Sequence, residues 1–379
     1  MIIKEMVVEN FRNIKHGSFQ FHDGVNVFCG KNAQGKTNLM EAISICIGTS
    51  FRKSKFSQYI PFDNNEGEPV KITIKYIDES NESKINNIEY IILKNKRVVK
   101  HNDIPIKDAL KLYGMLKYVV FTPEHLELIK GSPEQRRDYL DEVAIMQTAV
   151  HNKKVSRYQR ALRNKNNILS SLPNSFDKDI VKLQLQSWNE VLAAEGINVT
   201  FGRLKYFNLL KDIAADYYAQ LTDNKEVLTL KYNSTIFQSD DIDFSDKESL
   251  FTHYKKILND DFEQEIKQRH TISGVHRDDL VFYINGANAR DFASQGQKRS
   301  IALVLKLAEA EIIRKRGFLP IMILDDVLSE LDSIRRNFVL NNIENSQVFI
   351  TSCNKQDLCG LKCGKLWNVS KGKFNLIEK

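Results

Sequence analysis

The sequence predicts an α/β protein in which a nucleotide-binding sheet is interrupted by a mostly helical insertion. Three observations predict it. Gly30-Lys31-Asn32-Ala33-Gln34-Gly35-Lys36-Thr37 matches the phosphate-loop pattern G-x-x-x-x-G-K-[ST]. Residues 319–326 form an apolar strand ending in two acids, Asp325 and Asp326. Between them the hydrophobic period changes at Thr122-Pro123-Glu124-His125-Leu126 and stays helical to about residue 220. Nearly three hundred residues separate Lys36 from Asp325, far more than a simple nucleotide domain places there. The head therefore comprises 1–122 and 269–379, and the inserted helical domain 123–268.

Each element has its own signal. Residues 24–29 read as a short buried strand, and 38–46 carry apolar side chains at helical spacing. Strand, glycine loop and helix is the context the motif needs, because Gly30 and Gly35 let backbone N–H groups turn toward phosphate oxygens at a helix N-terminus. Residues 1–28 are β-rich, with Phe11-Arg12-Asn13 as a turn. Residues 48–55 are polar and basic, with Arg52, Lys53 and Lys55. Residues 69–77 alternate as a half-buried strand paired with 88–93, with 78–87 as a polar connection, and 116–121 form another strand.

Ser132-Pro133-Glu134 starts a helix with an N-cap, a proline and an acid, and Arg136 and Arg137 follow on it. A long polar helix carries Lys153, Lys154, Arg157, Arg160, Arg163 and Lys165. Leu172-Pro173-Asn174-Ser175 ends it, and a second long helix begins near Asp177, which makes a helical hairpin. A strand at 228–232, one helix over 247–268 and a strand at 280–284 with an Asn285-Gly286 turn come next. Ser294-Gln295-Gly296-Gln297 opens an amphipathic helix, and 348–350 and 366–369 are further strands. No internal repeat is visible.

Composition narrows the function classes. The 379 residues suffice for more than one domain, and the formal net charge of +7 suits nucleic acid as well as an ordinary basic protein. No apolar run is long enough to span a bilayer, and Met1-Ile2-Ile3-Lys4-Glu5 lacks a signal-peptide layout, so a cytoplasmic location is expected. The five cysteines suit reduced thiols; Cys353, Cys359 and Cys363 cluster, but without a CxxC pair or a histidine after His276.

The loop predicts chemistry. Lys36 reaches the β- and γ-phosphates and Thr37 holds Mg²⁺. Asp325 binds the same Mg²⁺, directly or through water, and Asp326 orients or deprotonates the attacking water. Lys36 and Asp326 are thus the candidate catalytic residues. The nucleotide-binding set is Gly30, Lys31, Asn32, Ala33, Gln34, Gly35, Lys36, Thr37 and Asn38. Ser294, Gln295, Gly296 and Gln297 form a second potential phosphate clamp at a helix N-terminus. The stripe Arg157, Arg160, Arg163 and Lys165 fits either DNA phosphates or the solvated face of a helical hairpin.

These residues carry a resemblance. Ala293-Ser294-Gln295-Gly296-Gln297 resembles the signature motif of ABC-type ATPases, and Ser329-Glu330-Leu331-Asp332 resembles their D-loop. Glu9-Asn10-Phe11-Arg12-Asn13, the phosphate loop, Lys130-Gly131-Ser132-Pro133-Glu134-Gln135-Arg136-Arg137, Gly274-Val275-His276-Arg277-Asp278-Asp279 and residues 324–332 resemble the bacterial RecF family of the SMC-like group. Val275 stands where that family is expected to have proline, and Gln295 where transporters have glycine. No histidine follows 348–350, where many ABC ATPases carry a switch residue. The resemblance implies an ABC-type, SMC-like head with mixed sheets. It implies an ATP- and Mg²⁺-dependent homodimer, with Ser294 docking on the γ-phosphate held by the other subunit. It also implies binding to double-stranded DNA and gap junctions, and work with RecR and RecO in loading RecA.

Three other readings compete. An ABC transporter subunit predicts a much shorter insertion and a membrane partner. A non-hydrolysing DNA scaffold predicts no DNA-stimulated turnover. A helicase predicts further motifs between the loop and the acidic strand.

Overall fold

A computed structural model of the chain describes residues 1–48, 56–62, 67–78, 81–93, 96–106, 112, 115–237, 243–354 and 364–377. Arg52, Lys53, Lys55, Cys359 and Cys363 lie outside them. Contacts divide the chain into two compact units, Met1–Glu127 with Arg299–Lys379, and Leu128–Lys298.

The first unit opens with β1 (Ile2–Phe11), β2 (Ile14–Gln20), β3 (Val25–Cys29) and α1 (Lys36–Cys46). β4 (Val70–Asp78), β5 (Asn81–Leu93), β6 (Lys96–His101), β7 (Ile104–Pro105), β8 (Tyr118–Phe121) and a single turn, α2 (Pro123–Leu126), follow. The second unit contains α3 (Pro133–Gln147), α4 (Ala149–Ser171), α5 (Lys178–Leu221), β9 (Leu228–Asn233), α6 (Lys247–Asp260) and α7 (Phe262–Gln268). It continues through β10 (Asp279–Ile284), β11 (Ala287–Asn288) and α8 (Ala289–Phe292), and the division falls within α9 (Gln295–Lys315). The first unit then closes with β12 (Ile321–Asp325), α10 (Ser333–Asn342), β13 (Gln347–Ser352), β14 (Lys365–Ser370) and β15 (Lys373–Ile377).

Two six-stranded sheets build the first unit. One is antiparallel, in the order β2-β1-β4-β5-β6-β7. The other, β15-β14-β3-β13-β12-β8, is parallel except for its terminal hairpin. The sequence pattern explains the difference. β4 buries Val70, Ile72, Ile74 and Tyr76 while Lys71, Thr73 and Lys75 face outward, the alternation of a one-sided sheet. β12 and β13 are buried at every position, as strands covered on both faces must be. Helix α1 contacts strands of both sheets, which is why Leu39, Met40, Ile43 and Cys46 have no exposure. Burial pushes the Cys46 thiol pKa up. The buried Gln347 amide stitches the sheets by accepting from the Ile3 N–H at 2.8 Å and donating to the Ile3 carbonyl at 2.7 Å.

Two expectations are corrected. The polar run within 78–87 is strand from Asn81, with Ile85 opposite Ile77 and Asn87 opposite Lys75; β5 extends along β4 because ladder pairing overrides a polar composition. The helix expected over 247–268 is two, α6 and α7, meeting at Asp261, which caps the one and opens the other.

In the second unit α4 and α5 pack as the expected hairpin, α5 running 44 residues. Residues 269–298 group with this unit. The reason is that β10 pairs in register with β9, Leu280 opposite Tyr232. Asn285 and Gly286, with φ of 49° and 83°, make the tight left-handed turn into β11. This unit buries charge. Arg203 donates to both Asp141 oxygens at 2.8 Å, and His151 Nε2 lies 2.9 Å from Asp141 Oδ1. Among the described residues, no helix is long and apolar enough to cross a membrane.

Burial opposes the charge on Asp141, but Arg203 and His151 outweigh it and hold the carboxyl down at about 2. Its folded pKa lies below its unfolded value, so the stabilisation is present above about pH 4 and is lost as pH falls toward 2. Asp141→Asn should cost about 3 kcal/mol at pH 7, because Arg203 stays buried without its partner. In urea unfolding at pH 7 and pH 3 the gap between parent and variant should narrow at the lower pH. A constant gap would reject the ion pair as its source.

Candidate nucleotide-binding site

The site begins with strand register. β3, β13 and β12 are parallel neighbours, with Val27 opposite Ile350 and Ile350 opposite Leu324. Their carboxyl ends therefore stop at one level, where open α/β sheets hold ligands. The phosphate loop leaves β3 with the Gly30 N–H bonded to the Ser352 carbonyl at 3.2 Å. It closes with Ala33 at φ 62° and Gly35 at φ 111°, and α1 starts at Lys36.

Lys36 turns back into the loop. Its ammonium donates to the Gly30 carbonyl at 2.8 Å, the Lys31 carbonyl at 3.2 Å and Cys353 Sγ at 3.2 Å. The Thr37 hydroxyl donates to Asp325 Oδ1 at 3.1 Å, and the Thr351 hydroxyl donates to the same oxygen at 2.8 Å. Asp326 is left-handed at φ 55° and gives its N–H to Thr351 Oγ1 at 2.8 Å. The Cys353 thiol donates to Asn32 Oδ1 at 2.6 Å and lies 3.4 Å from Asp326 Oδ1. Partial burial and Asp326 raise its pKa, while Lys36 opposes them. Lys36, Thr37, Asp325 and Asp326 thus meet as the sequence expects, with Asn32 beside them.

A second layer fixes the loop helix. Arg12, left-handed at φ 52°, places Nε 2.6 Å from Oε2 of the fully buried Glu41 and lies over the Tyr59 ring. Asn13 accepts from Asn38 Nδ2 at 2.8 Å. Gln34 accepts from the Lys371 N–H at 2.7 Å. After β12, Glu330 accepts from Arg299 of α9 at its carbonyl (2.5 Å) and its carboxylate (3.0 Å), while Asp332 caps α10.

Ser294, Gln295, Gly296 and Gln297 belong to the other unit. Ser294 accepts the Gln297 N–H at 3.2 Å while Gln297 Oε1 accepts the Ser294 N–H at 2.8 Å, a capping box. The Gln297 amide also donates to Glu226 at 2.7 Å, so its side chain is committed to the helix start.

On α4, Arg157, Arg160 and Arg163 are exposed. Lys165 is not available to DNA, which corrects the sequence-based stripe. It has no exposure and its ammonium sits 2.7 Å from Glu265 Oε2, itself buried. Burial drives this pair toward neutrality, lowering Lys165 and raising Glu265 against their mutual attraction. A signal for it existed. Tyr158, Ala161, Lys165 and Leu169 recur at helical spacing and are all buried.

Sequence reasoning missed Cys353, Thr351 and Glu41. Thr351-Ser352-Cys353 follows the apolar run of β13, and the end of a parallel strand beside a phosphate loop was the available signal. Glu41 sits among apolar residues of α1, where an acid needs a partner. Among the described residues no group of three or more histidines, cysteines or acids forms a metal cluster.

The RecF/RecN/SMC N-terminal domain family matches residues 2–371. The chain is 34% identical to the DNA replication and repair protein RecF of Staphylococcus carnosus, over 99% of this chain and 100% of the relative. It is 35% identical to that of a Thermoanaerobacter species, over 95% and 96%. A solved structure of the recombination mediator protein RecF with ATP in the RecFOR pathway superposes with a TM-score of 0.87 at 30% identity, covering 100% of this chain and 98% of that one. An Smc head bound to the C-terminal winged-helix domain of ScpA superposes at 0.58 with 15% identity, over 100% and 97%, which is likeness of fold. The fold is thus the ABC-type ATPase head of the SMC group.

Thr351→Val should remove the acceptor of the Asp326 N–H and one donor to Asp325, at a cost of about 1–3 kcal/mol in folding free energy. Urea unfolding measures it. A variant as stable as the parent would show that Thr351 holds neither acid.

Proposed function

Because this chain belongs to the RecF family of DNA replication and repair proteins, we propose that it is a weak, DNA-stimulated ATPase whose ATP-bound homodimer closes on double-stranded DNA. The observation that carries the reading is the meeting of Lys36, Thr37, Asp325 and Asp326 at the ends of β3 and β12. The loop N–H groups and Lys36 receive the phosphates. Thr37 and Asp325 offer two hard oxygens 3.1 Å apart at the loop mouth, a fit for Mg²⁺, which keeps waters and phosphate oxygens as its other ligands. Bound there, Mg²⁺ supplies charge neutralisation for phosphoryl transfer. Asp326 accepts the proton of the attacking water. The solved RecF structure with ATP supports ATP as the nucleotide.

Ser294 caps α9 with an oxygen already used by its own helix, which leaves the hydroxyl hydrogen free to meet a γ-phosphate of the opposite subunit. Since ADP lacks that group, ATP favours the closed dimer by differential affinity. Arg157, Arg160 and Arg163 contact DNA phosphates. Duplex and gap-junction binding, work with RecR and RecO to load RecA, and a cytoplasmic, nucleoid-associated location complete the reading, supported by the relatives' role in replication and repair.

Asp326→Asn should keep ATP binding and lower turnover by about 10²-fold or more, so that a dimer persists in light scattering with ATP and duplex DNA. Parental turnover would remove Asp326 from the base role. Ser294→Arg should bind ATP as a monomer yet lose dimerisation, and mixing it with Lys36→Met protein should restore part of the ATPase rate. A mixture that forms heterodimers but stays inactive counts against a shared site. Arg160→Glu with Arg163→Glu should weaken duplex binding and flatten its dependence on salt by about two phosphate contacts, whereas Lys165→Met should not change the salt slope. Equal slopes for parent and the arginine variant would place DNA elsewhere.

A further inference from the structure

The phosphate loop is gripped from outside by the last hairpin of the chain. β14 runs parallel to β3, with Asn368 opposite Cys29, so the turn from β14 to β15 overhangs the loop that β3 feeds. Both turn residues are left-handed, Lys371 at φ 50° and Gly372 at φ 73°. Both give their N–H groups to Gln34, Lys371 to Oε1 at 2.7 Å and Gly372 to the carbonyl oxygen at 2.9 Å. The Gln34 amide in turn donates to the Asn32 carbonyl at 3.3 Å.

The approach is too close for side chains. A Cβ on Gly30 would lie 2.3 Å from the Val369 carbonyl oxygen, and one on Gly372 would lie 2.2 Å from the Asn13 carbonyl oxygen. The hairpin is also anchored. Phe374 stands edge-on to Phe19 at 5.1 Å and to Phe28 at 6.3 Å, and Trp367 stacks on Phe28 at 6.0 Å. Phe28 is two residues from Gly30, so the clamp and the loop share one support.

The held segment is strained. Ala33, flanked by Asn32 and Gln34, has φ 62°, a conformation alanine keeps only where its surroundings impose it. The three bonds to Gln34 and Asn32 hold it there.

We infer that the β14–β15 turn is a latch that pre-forms the phosphate loop through Gln34, making nucleotide affinity depend on the last hairpin of the chain. The inference rests on the nucleotide reading of the site. Gln34, Lys371 and Gly372 act as positioning residues, and they raise affinity by removing the ordering cost from the binding step.

The test is calorimetric titration with ATP and Mg²⁺, alongside amide exchange and thermal unfolding without nucleotide. Gln34→Ala and Gln34→Met remove the acceptor of the Lys371 N–H. Two glycines inserted after Gly372 lift the turn and leave Gln34 intact. Lys371→Asn keeps the N–H and tolerates the left-handed turn. The first three should weaken ATP binding by about three- to tenfold, the range of one or two neutral hydrogen bonds. Amides 31–36 should exchange faster in them while the unfolding temperature holds, and Lys371→Asn should bind within about twofold of the parent. A parent that binds ATP together with variants that bind equally well overturns the latch alone. A parent that binds no nucleotide overturns the reading of the site as well. If a Gln34 variant is thermally weakened, the insertion variant decides, and parental affinity there overturns the latch.

Discussion

The parallel register of β3, β13 and β12 is the constraint on which the rest depends. It sets Asp325 opposite Thr351 and Ser352 opposite Cys29, and so delivers the acids to the loop that follows β3. Thr37 and Asp325 are 288 positions apart in the chain yet 3.1 Å apart in space. Closing so long a segment costs little more than closing a short one, because loop entropy grows only with the logarithm of length. The inserted segment's contacts lie largely within its own unit, so its size hardly taxes the site. A slip of one residue in β12 would turn Asp325 to the other face of the sheet.

Around that register the chain stores strain in the phosphate loop and at the acidic strand end. Ala33 and Asp326 are both left-handed without being glycine, and each is held by named bonds, Ala33 through its neighbours and Asp326 through Thr351. Such residues persist only where the surroundings over-determine them. The Arg12–Glu41 pair, half-buried on the arginine side and buried on the glutamate side, has the same logic. It is weak evidence of stability in itself, since desolvation offsets the attraction, but it fixes α1 against the β1–β2 turn and so fixes the direction of Lys36 and Thr37.

The inserted unit solves a different problem. Its core accommodates Asp141, Arg203, His151, Lys165 and Glu265, groups that a purely apolar interior would exclude. Arg203 from α5 reaches Asp141 on α3, and Lys165 on α4 reaches Glu265 on α7. The Lys165–Glu265 pair adds to the apolar packing of Leu169, Val181, Leu185 and Phe262 among α4, α5 and α7. It also divides the basic residues of α4 into an exposed set, Arg157, Arg160 and Arg163, and a buried Lys165.

What the sequence determined by itself is whatever a short window encodes. The phosphate loop, the apolar strand ending in Asp325 and Asp326, the proline break between α4 and α5 and the Asn285-Gly286 turn were all legible. Each arises from local sterics or from a repeat of two or 3.6 residues. The RecF-like motifs were legible for the same reason. What only the tertiary structure decided is partnership across the chain. The strand character of 81–87 depended on β4 beside it, the fate of Lys165 on Glu265, and the roles of Thr351 and Cys353 on the neighbours of β13. Gln34 belongs here too, because nothing in the loop announces the hairpin turn that holds it. A side chain's periodicity tells which face it occupies, but the energy of a buried charge or a strained φ is set by atoms tens to hundreds of residues away, and those enter only when the fold closes.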